Sequence, residues 1–588
     1  MKKSSGNFRL FIQNHSVGNR TYLIIASIVV GIIAALAAVL LKTVVHYLHL
    51  IPEYFSKHST TGLWLIILPI TGIIITVIVT RIFFRDKLEK GLGSILYSIA
   101  MKSSRVGKDK MYSHIITSGI TVGLGGSAGL EAPIVITGSA IGSNIASLFK
   151  FGYKERTLLL ACGAASGIAA VFNSPIAGVV FALEVLLTEF TIPGFIPLLI
   201  SAASATIVSK LLYKGQLFYL VSHEWYLNAI PFYIVLGIIC GLLAVYMKRT
   251  TLAVESYFNT DSRRRFKMIT GMILLGGLIF LLPPLFGEGY DSIKTLLGGH
   301  FSEILNNSVF QGLKFNAWFI LIFTLAVVLL KVIATSLTIG SGGNGGIFAP
   351  SLFTGAFTGF GLANFVNTTG IATLSTPNFI VVGMAGILSG VVHAPLTAIF
   401  LIAEITGGYT LFVPLMIVSA LSYFITRYFE PFSVYTKNLA KKGHILTDDK
   451  DSNVLKYLKI SDLIETDFIV LKTTENLNAL VDAFVMSNRN IFPVVDGNNE
   501  FFGVILLGKV KEHILRKEMY EVTTISELAE KPMTIDISES MDSVMEKFEK
   551  SDYWNFPVLN NKEYLGFISQ SSILASYRRT LKRSSLLF

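Results

Sequence analysis

The chain has 588 residues, 52% hydrophobic and 15% charged, with a mean hydropathy of +0.61 and a formal net charge of +11. This is too apolar for a soluble protein of that size, and apolar runs of membrane-spanning length recur from about Tyr22 to about Tyr428, so the chain reads as a polytopic α-helical membrane protein. A transmembrane barrel is excluded, because its strands would alternate at period two, and nucleic-acid binding is not expected, because the basic excess fits topology and lipid contact better than a soluble basic face.

Residues 1–20 form a basic arm carrying Lys2, Lys3, Arg9 and Arg20. No small-residue cleavage site follows a short apolar stretch, so no signal peptide is read and the arm is expected in the cytoplasm. Apolar helices are predicted at about 21–49 and 62–84. Arg81, Arg85, Lys87 and Lys90 then mark a basic membrane edge, and 102–110 reads as a solvated loop. From 111 to 213 the apolar segments are short and interrupted by Gly, Pro and Ser. Such breaks persist at depth only where protein or a water-filled cavity satisfies the freed backbone groups. Full-length spans are predicted at about 229–248, 265–287 and 315–336, and a second broken region at 338–428. Cys162 and Cys240 lie in apolar segments and imply neither a disulfide framework nor a metal site.

The two broken regions echo one another. Gly129-Leu130-Glu131-Ala132-Pro133-Ile134-Val135-Ile136-Thr137-Gly138 is matched by Gly346-Ile347-Phe348-Ala349-Pro350-Ser351-Leu352-Phe353-Thr354-Gly355, with Gly, Ala, Pro, Thr and Gly in register. A second block, Asn173-Ser174-Pro175 with Glu184, pairs with His393-Ala394-Pro395 with Glu404. Two related halves follow, about 21–213 and 229–428, and the residues alone leave open whether they are parallel or inverted. Matched, glycine-broken segments in the two halves point to a transporter binding site. Residues 436–458 read as a charged linker, and 459–580 as a soluble α/β region with its own repeat, about 459–517 and 523–580, followed by a basic tail at 581–588. Phe492-Pro493-Val494-Val495 recurs as Phe556-Pro557-Val558-Leu559, and Phe502-Gly503-Val504-Ile505 as Leu565-Gly566-Phe567-Ile568.

The chemistry these patterns imply is anion binding. Short helices aiming their N-termini inward present unpaired N–H groups and a positive dipole end, which attract an anion without a full positive charge. Glu131 stands at such a terminus, where its carboxylate can take the anion's place or leave on protonation. Glu184 and Glu404 read as structural, meeting backbone or polar partners between helices.

Gly129-Leu130-Glu131-Ala132-Pro133, Gly345-Gly346-Ile347-Phe348-Ala349-Pro350 and the 459–580 pair together resemble the CLC family of chloride channels and proton/chloride antiporters with a cytoplasmic CBS-domain pair. The resemblance covers roughly 21–580. It implies an inverted-repeat helical fold over 21–435, plus a small α/β CBS pair. It also implies a homodimer in the cell membrane, the bacterial inner membrane being expected, with one pathway for chloride or other small anions per subunit. It makes Glu131 the gate, and gives the anion-motif backbone to Gly129, Leu130, Gly345 and Gly346. The amides of Ile347 and Phe348 and the side chain of Tyr435 become anion contacts. No cofactor is required, no metal site is implied, and transport rather than catalysis is expected.

Three departures from the family pattern bear on function. The register that keeps the spacing to Glu131 puts Lys90 where the family has its anion-contacting serine, and Lys90 then either holds an anion or plugs the path; with the register shifted it is a membrane-edge lysine. Val185 occupies the proton-transfer position of family antiporters, which leans toward an uncoupled anion channel, with a proton/chloride antiporter as the alternative. In the CBS pair the ribose-binding pattern keeps Ser569 but ends in Ser572, so adenine nucleotide binding there is not the expectation, and a dimerisation and gating module without ligand is. A transport-impaired, nucleotide-sensing membrane protein is the remaining alternative.

Overall fold

The computed structural model describes residues 19–58, 62–84, 88–89, 91–187, 192–213, 224–260, 263–313, 315–441, 458–551 and 553–587. Contacts divide the chain into two units, 1–445 and 446–588. The first is helical: α1 (Asn19–His58), α2 (Trp64–Phe84), α3 (Gly93–Met101), α4 (Ser113–Gly123), α5 (Glu131–Leu148), α6 (Tyr153–Phe172), α7 (Pro175–Phe181) and α8 (Ile192–Leu212) make the first half. The second half contains α9 (Ile230–Asn259), α10 (Arg264–Leu281), α11 (Tyr290–Leu297), α12 (Ala317–Gly340), α13 (Phe348–Thr369), α14 (Thr376–Val392), α15 (Pro395–Ile405) and α16 (Phe412–Phe429), with the short α17 (Lys437–Lys441) after it. Among the described residues seven helices are long and apolar enough to cross a bilayer, by length and composition. Helices α1 and α9 outrun their predicted apolar windows. A hydropathy window marks bilayer thickness, whereas backbone hydrogen bonding continues until a cap or a breaker stops it.

The two halves repeat in space. Helices α5 and α6 cross so closely that a Cβ on Gly138 would lie 2.1 Å from the Gly163 carbonyl oxygen, and α13 and α14 repeat this with Gly355 at 2.2 Å from the Gly383 carbonyl. Only glycine fits such a crossing, and in a membrane close backbone approach supplies the van der Waals packing that the hydrophobic effect does not. The helix α6 ends in a left-handed Asn173 (φ 56°) and α14 in a left-handed His393 (φ 63°), and Pro175 and Pro395 then open α7 and α15. Proline is tolerated in the first turn, where the missing N–H would be unpaired anyway. Cys162 and Cys240 are buried free thiols.

The 102–110 segment is exposed at Lys102, Arg105, Gly107, Lys108 and Asp109, in keeping with its expected solvated state, and anchored inward at Ser104, Val106 and Lys110. Ser104 is buried and its carbonyl accepts the Ser143 hydroxyl at 2.6 Å, Arg156 donates to the Ser103 carbonyl at 3.1 Å, and the buried Lys110 pairs with Glu89 at 2.5 Å. Its charged side chains other than Lys110 face outward, while the carbonyls of Ser103, Ser104 and Val106 and the Ser104 hydroxyl are bonded to α5 and α6.

The second unit contains two copies of one topology. Strand β1 (Leu471–Lys472) runs parallel to β2 (Ile491–Val495), which pairs antiparallel with β3 (Phe501–Leu506); β4 (Ile535–Asp536), β5 (Asn555–Asn560) and β6 (Glu563–Ser569) do the same. A helix, α18 (Leu477–Met486) or α19 (Met541–Glu549), makes each parallel crossover. The copies exchange their lead-in segments: Glu465 bridges Phe567 of β6, and Glu530 bridges Val504 of β3, each through a reciprocal pair of backbone hydrogen bonds. This is a pseudo-two-fold pair with a separate apolar core in each copy. Of the expected 436–458 linker, Lys437–Lys441 is helical and 442–457 lies outside the described residues. Of the expected 581–588 tail, 581–587 continues the final helix, Gln570–Leu587, and Phe588 lies outside the described residues.

Candidate anion-binding site

Gly129 and Gly346, equivalent residues of the two halves, pair with each other: each N–H donates to the other's carbonyl at 2.8 Å. A reciprocal bond between equivalent residues places the local two-fold of the repeat through this point. The helices α5 and α13 start on either side of it, their N-caps Leu130 (φ −91°, ψ −10°) and Ile347 (φ −94°, ψ 0°) nearly superposable in conformation and neither carrying a side-chain cap. Two buried helix N-termini are thus opened toward one locus, with amides left for a ligand. The approach is as close as glycine allows: a Cβ on Gly345 would lie 2.4 Å from the Ala128 Cβ, and one on Gly346 2.6 Å from the Ala132 Cβ. Side-chain hydroxyls hold the flanking turns, with Thr338 accepting the Ser127 N–H at 3.1 Å and Thr121 accepting the Asn344 N–H at 3.0 Å.

Glu131 is the first residue of α5 and only 1% exposed. One carboxylate oxygen accepts the Ala349 N–H at 3.3 Å, at the N-terminus of α13, and the other accepts the Tyr290 hydroxyl. The carboxylate therefore occupies the position an anion would take between the two helix ends. Where the first half has Glu131, the second has Phe348, a buried ring packed on Phe172 and Phe181 at centroid distances of 5.8 and 6.4 Å. The repeat is thus symmetric in backbone and asymmetric in chemistry, with one carboxylate for two helix termini.

The structure brings most of the predicted site residues together. Gly129, Leu130, Gly345, Gly346, Ile347 and Phe348 all lie on the two inward loops. Tyr435 is close enough to Glu131 to interact with it electrostatically, and its carbonyl abuts Gly93 at the start of α3, a third helix N-terminus without a side-chain cap. Lys90 lies outside the described residues. Val185 is half-buried on a π-helical turn, Ala182–Leu186, packed against the membrane-unit core. Beside it, Glu184 caps the start of α15 as a structural carboxylate. Ser569, in the second unit, is committed internally: its hydroxyl donates to Glu465 at 2.6 Å and accepts the Ser572 N–H at 3.0 Å.

Four residues at this site escaped the sequence reading: Ala349, Tyr290, Glu288 and Lys331. Ala349 was one position beyond the amides taken from the motif. Lys331 is fully buried, donates to the carbonyls of Leu285 (3.2 Å) and Gly287 (2.9 Å), and sits 4.7 Å from the Phe353 ring centroid. It holds the Gly287-Glu288-Gly289 turn that delivers Tyr290 to Glu131. A charged residue inside an apolar span is the one signal that could have found it.

A helical membrane protein whose symmetric broken helices hold a carboxylate between opposed N-termini belongs to the class of anion-transporting repeat proteins. The family model described as voltage gated chloride channel matches residues 71–427, and the CBS domain model matches residues 525–579. The chain belongs to the voltage-gated chloride channel, or CLC, family and carries a C-terminal CBS pair. It is 29% identical over 60% of its length to a putative chloride channel protein ClcB-like of Ralstonia nicotianae, covering 80% of that protein. It is 30% identical over 51% of its length to the H(+)/Cl(−) exchange transporter ClcA of Vibrio cholerae, covering 62% of that protein. A slow cyanobacterial Cl−/H+ antiporter structure shares the fold with a TM-score of 0.61 at 23% identity, covering 73% of this chain and 99% of that one.

Proposed function

We propose that this protein moves chloride or a similar small anion across a membrane, without catalysis, and that Glu131 is its gate. The observation that carries this reading is the Glu131 carboxylate on the Ala349 N–H, between two uncapped helix N-termini. Protonation removes the negative charge that competes for those amides, and the vacated N-terminus then accepts the permeant anion.

Uncoupled, channel-type conduction is the first mode, on the strength of Val185, which offers no titratable group at the position that the family resemblance gives to proton transfer. Proton/anion exchange is the second, favoured by the similarity to proteins described as H(+)/Cl(−) exchange transporters. Reversal potential of the purified, reconstituted protein under an imposed proton gradient separates them: it follows the anion gradient alone for a channel and moves with pH for an exchanger. Absence of anion flux in the same liposomes would sink both and leave the nucleotide-sensing alternative. The protein is read as a homodimer with one pathway per subunit, its N-terminus and CBS pair on the cytoplasmic side of a bacterial inner membrane.

A further inference from the structure

The carboxylate at the α5 start is seated by two donors, and one of them is a side chain. Ala349 gives its backbone N–H to one Glu131 oxygen at 3.3 Å, and the Tyr290 hydroxyl donates to the other. Both partners are buried, Glu131 as the first residue of α5 and Tyr290 as the first of α11. The Tyr290 ring belongs to the apolar core of the membrane unit, so packing accounts for the ring but not for its hydroxyl. The turn before it is anchored to both helix starts. Gly287 (φ 58°) donates its N–H at 3.0 Å to the carbonyl of Gly125, in the loop that leads into α5. Gly289 (φ 89°) packs on α13, where a Cβ would lie 2.3 Å from the Phe353 ring. Lys331 of α12 donates to the Leu285 and Gly287 carbonyls at 3.2 and 2.9 Å. Both positive-φ positions favour glycine, and together these contacts set the Tyr290 hydroxyl in one place relative to the two N-termini.

We propose that Tyr290 is a positioning residue of the gate: its hydroxyl latches the ionised Glu131 carboxylate in the anion's place, and opening breaks this bond together with the one to Ala349. A hydrogen bond to a charged acceptor is stronger than one to a neutral acceptor, and it favours the ionised form. The latch therefore acts in one direction. It holds the carboxylate while that is charged and loosens when a proton arrives, so Tyr290 sets how readily the gate leaves α13. The other titratable groups facing this pair are Tyr435, across from Glu131, and Glu288 on the turn, with Asp291 of α11 and Lys331 of α12 beside it. They are the same in every variant below, so a difference between variants reports the Tyr290 hydroxyl.

The proposal rests on Glu131 being the gate, and the test separates the two. Chloride efflux from liposomes holding the full-length protein is measured against pH for wild type, Tyr290→Phe, Tyr290→Leu, Glu131→Ala and the Tyr290→Phe, Glu131→Ala double variant. Without the hydroxyl the ionised carboxylate has one donor fewer and takes up a proton more easily. The activation midpoint of Tyr290→Phe is therefore expected about one pH unit above wild type, the size of one hydrogen bond to a charged group. Efflux near neutral pH rises by up to about tenfold on the same footing, and the two profiles meet in acid, where wild type is already released. Tyr290→Leu, a second variant without the donor, moves the midpoint in the same direction. In the Glu131→Ala background Tyr290→Phe changes nothing, because no carboxylate remains to be held. A Tyr290→Phe midpoint at or below the wild-type value overturns the latch, as does the same change of efflux with and without Glu131. A wild-type pH profile in Glu131→Ala sinks the gate assignment itself, whereas a flat Glu131→Ala profile beside unshifted Tyr290 variants sinks only the latch.

Discussion

Glu184 and Glu404, equivalent residues of the two halves, cap each other's neighbouring helix. Glu404 accepts the N–H groups of Ile176 (3.1 Å) and Ala177 (2.9 Å) at the start of α7; Glu184 accepts those of Leu396 (3.0 Å) and Thr397 (2.7 Å) at the start of α15, and the Thr397 hydroxyl at 2.6 Å. Both helices open on proline, which cannot be joined to the preceding segment by a helical bond, so their first donors must be met from elsewhere. Each half supplies the other's missing acceptor, and the pair ties the repeats together about the same two-fold that passes through Gly129 and Gly346.

Removing either carboxylate leaves two amides unpaired at a partly exposed helix end. Glu184→Ala or Glu404→Ala should each lower the stability of the solubilised protein by about 1–2 kcal/mol, with Gln substitutions milder because one oxygen still accepts. Thermal unfolding in detergent measures this. An Ala variant as stable as wild type would show that water replaces the caps without cost.

Glu131→Gln and Glu131→Ala should abolish pH-dependent gating and any proton coupling while anion flux persists, because the carboxylate that competes for the Ala349 amide is gone. Flux assays at several pH values decide it; retention of the wild-type pH profile by the Ala variant would remove Glu131 from the gate.

Arg489 in the CBS pair donates to Asp467 (2.7 Å) and Glu465 (2.8 Å) and stacks 4.6 Å from the Phe468 ring centroid. Its hydrogen bond holds the Asp467 carboxyl below the usual aspartate range. A depressed folded-state pKa contributes stability that is present above the unfolded value, about 3.9, and is lost as pH falls through the folded one. Arg489→Leu should therefore lower the melting temperature of the 459–588 unit modestly at pH 7, with the gap to wild type closing below about pH 4 as Asp467 is protonated. A gap independent of pH would assign the loss to the Phe468 packing alone.

Lys90 precedes the uncapped start of α3, which meets the Tyr435 carbonyl. Lys90→Ser should change anion affinity or unitary flux, and Lys90→Met, which keeps length without charge, should separate sterics from electrostatics. Both variants matching wild type in affinity, selectivity and flux would leave Lys90 a membrane-edge lysine.

Much of this architecture was legible because it rests on backbone constraints. Gly, Ala and Pro recur in register around Glu131 and Phe348 since both helix starts need the same close approach, and Pro175 to Glu184 repeats as Pro395 to Glu404 since each proline-opened helix needs a partner's carboxylate. The soluble repeat was readable from its strand pattern, although the exchange of lead-in segments through Glu465 and Glu530 was not. The charges of the 102–110 segment marked its exposed face, but nothing local marked the carbonyls that bond to α5 and α6.

By itself, then, the sequence determined the membrane class, the two related halves, the CBS pair and the single glutamate at a glycine-built helix start. Hydropathy and steric necessity leave local marks that need no partner to be read. Only the tertiary structure decided what surrounds that glutamate. Ala349, Tyr290, Glu288 and Lys331 reach Glu131, or the turn beside it, from three segments far along the chain, and no local pattern records which distant groups an interior dipole or charge will face once the helices have packed.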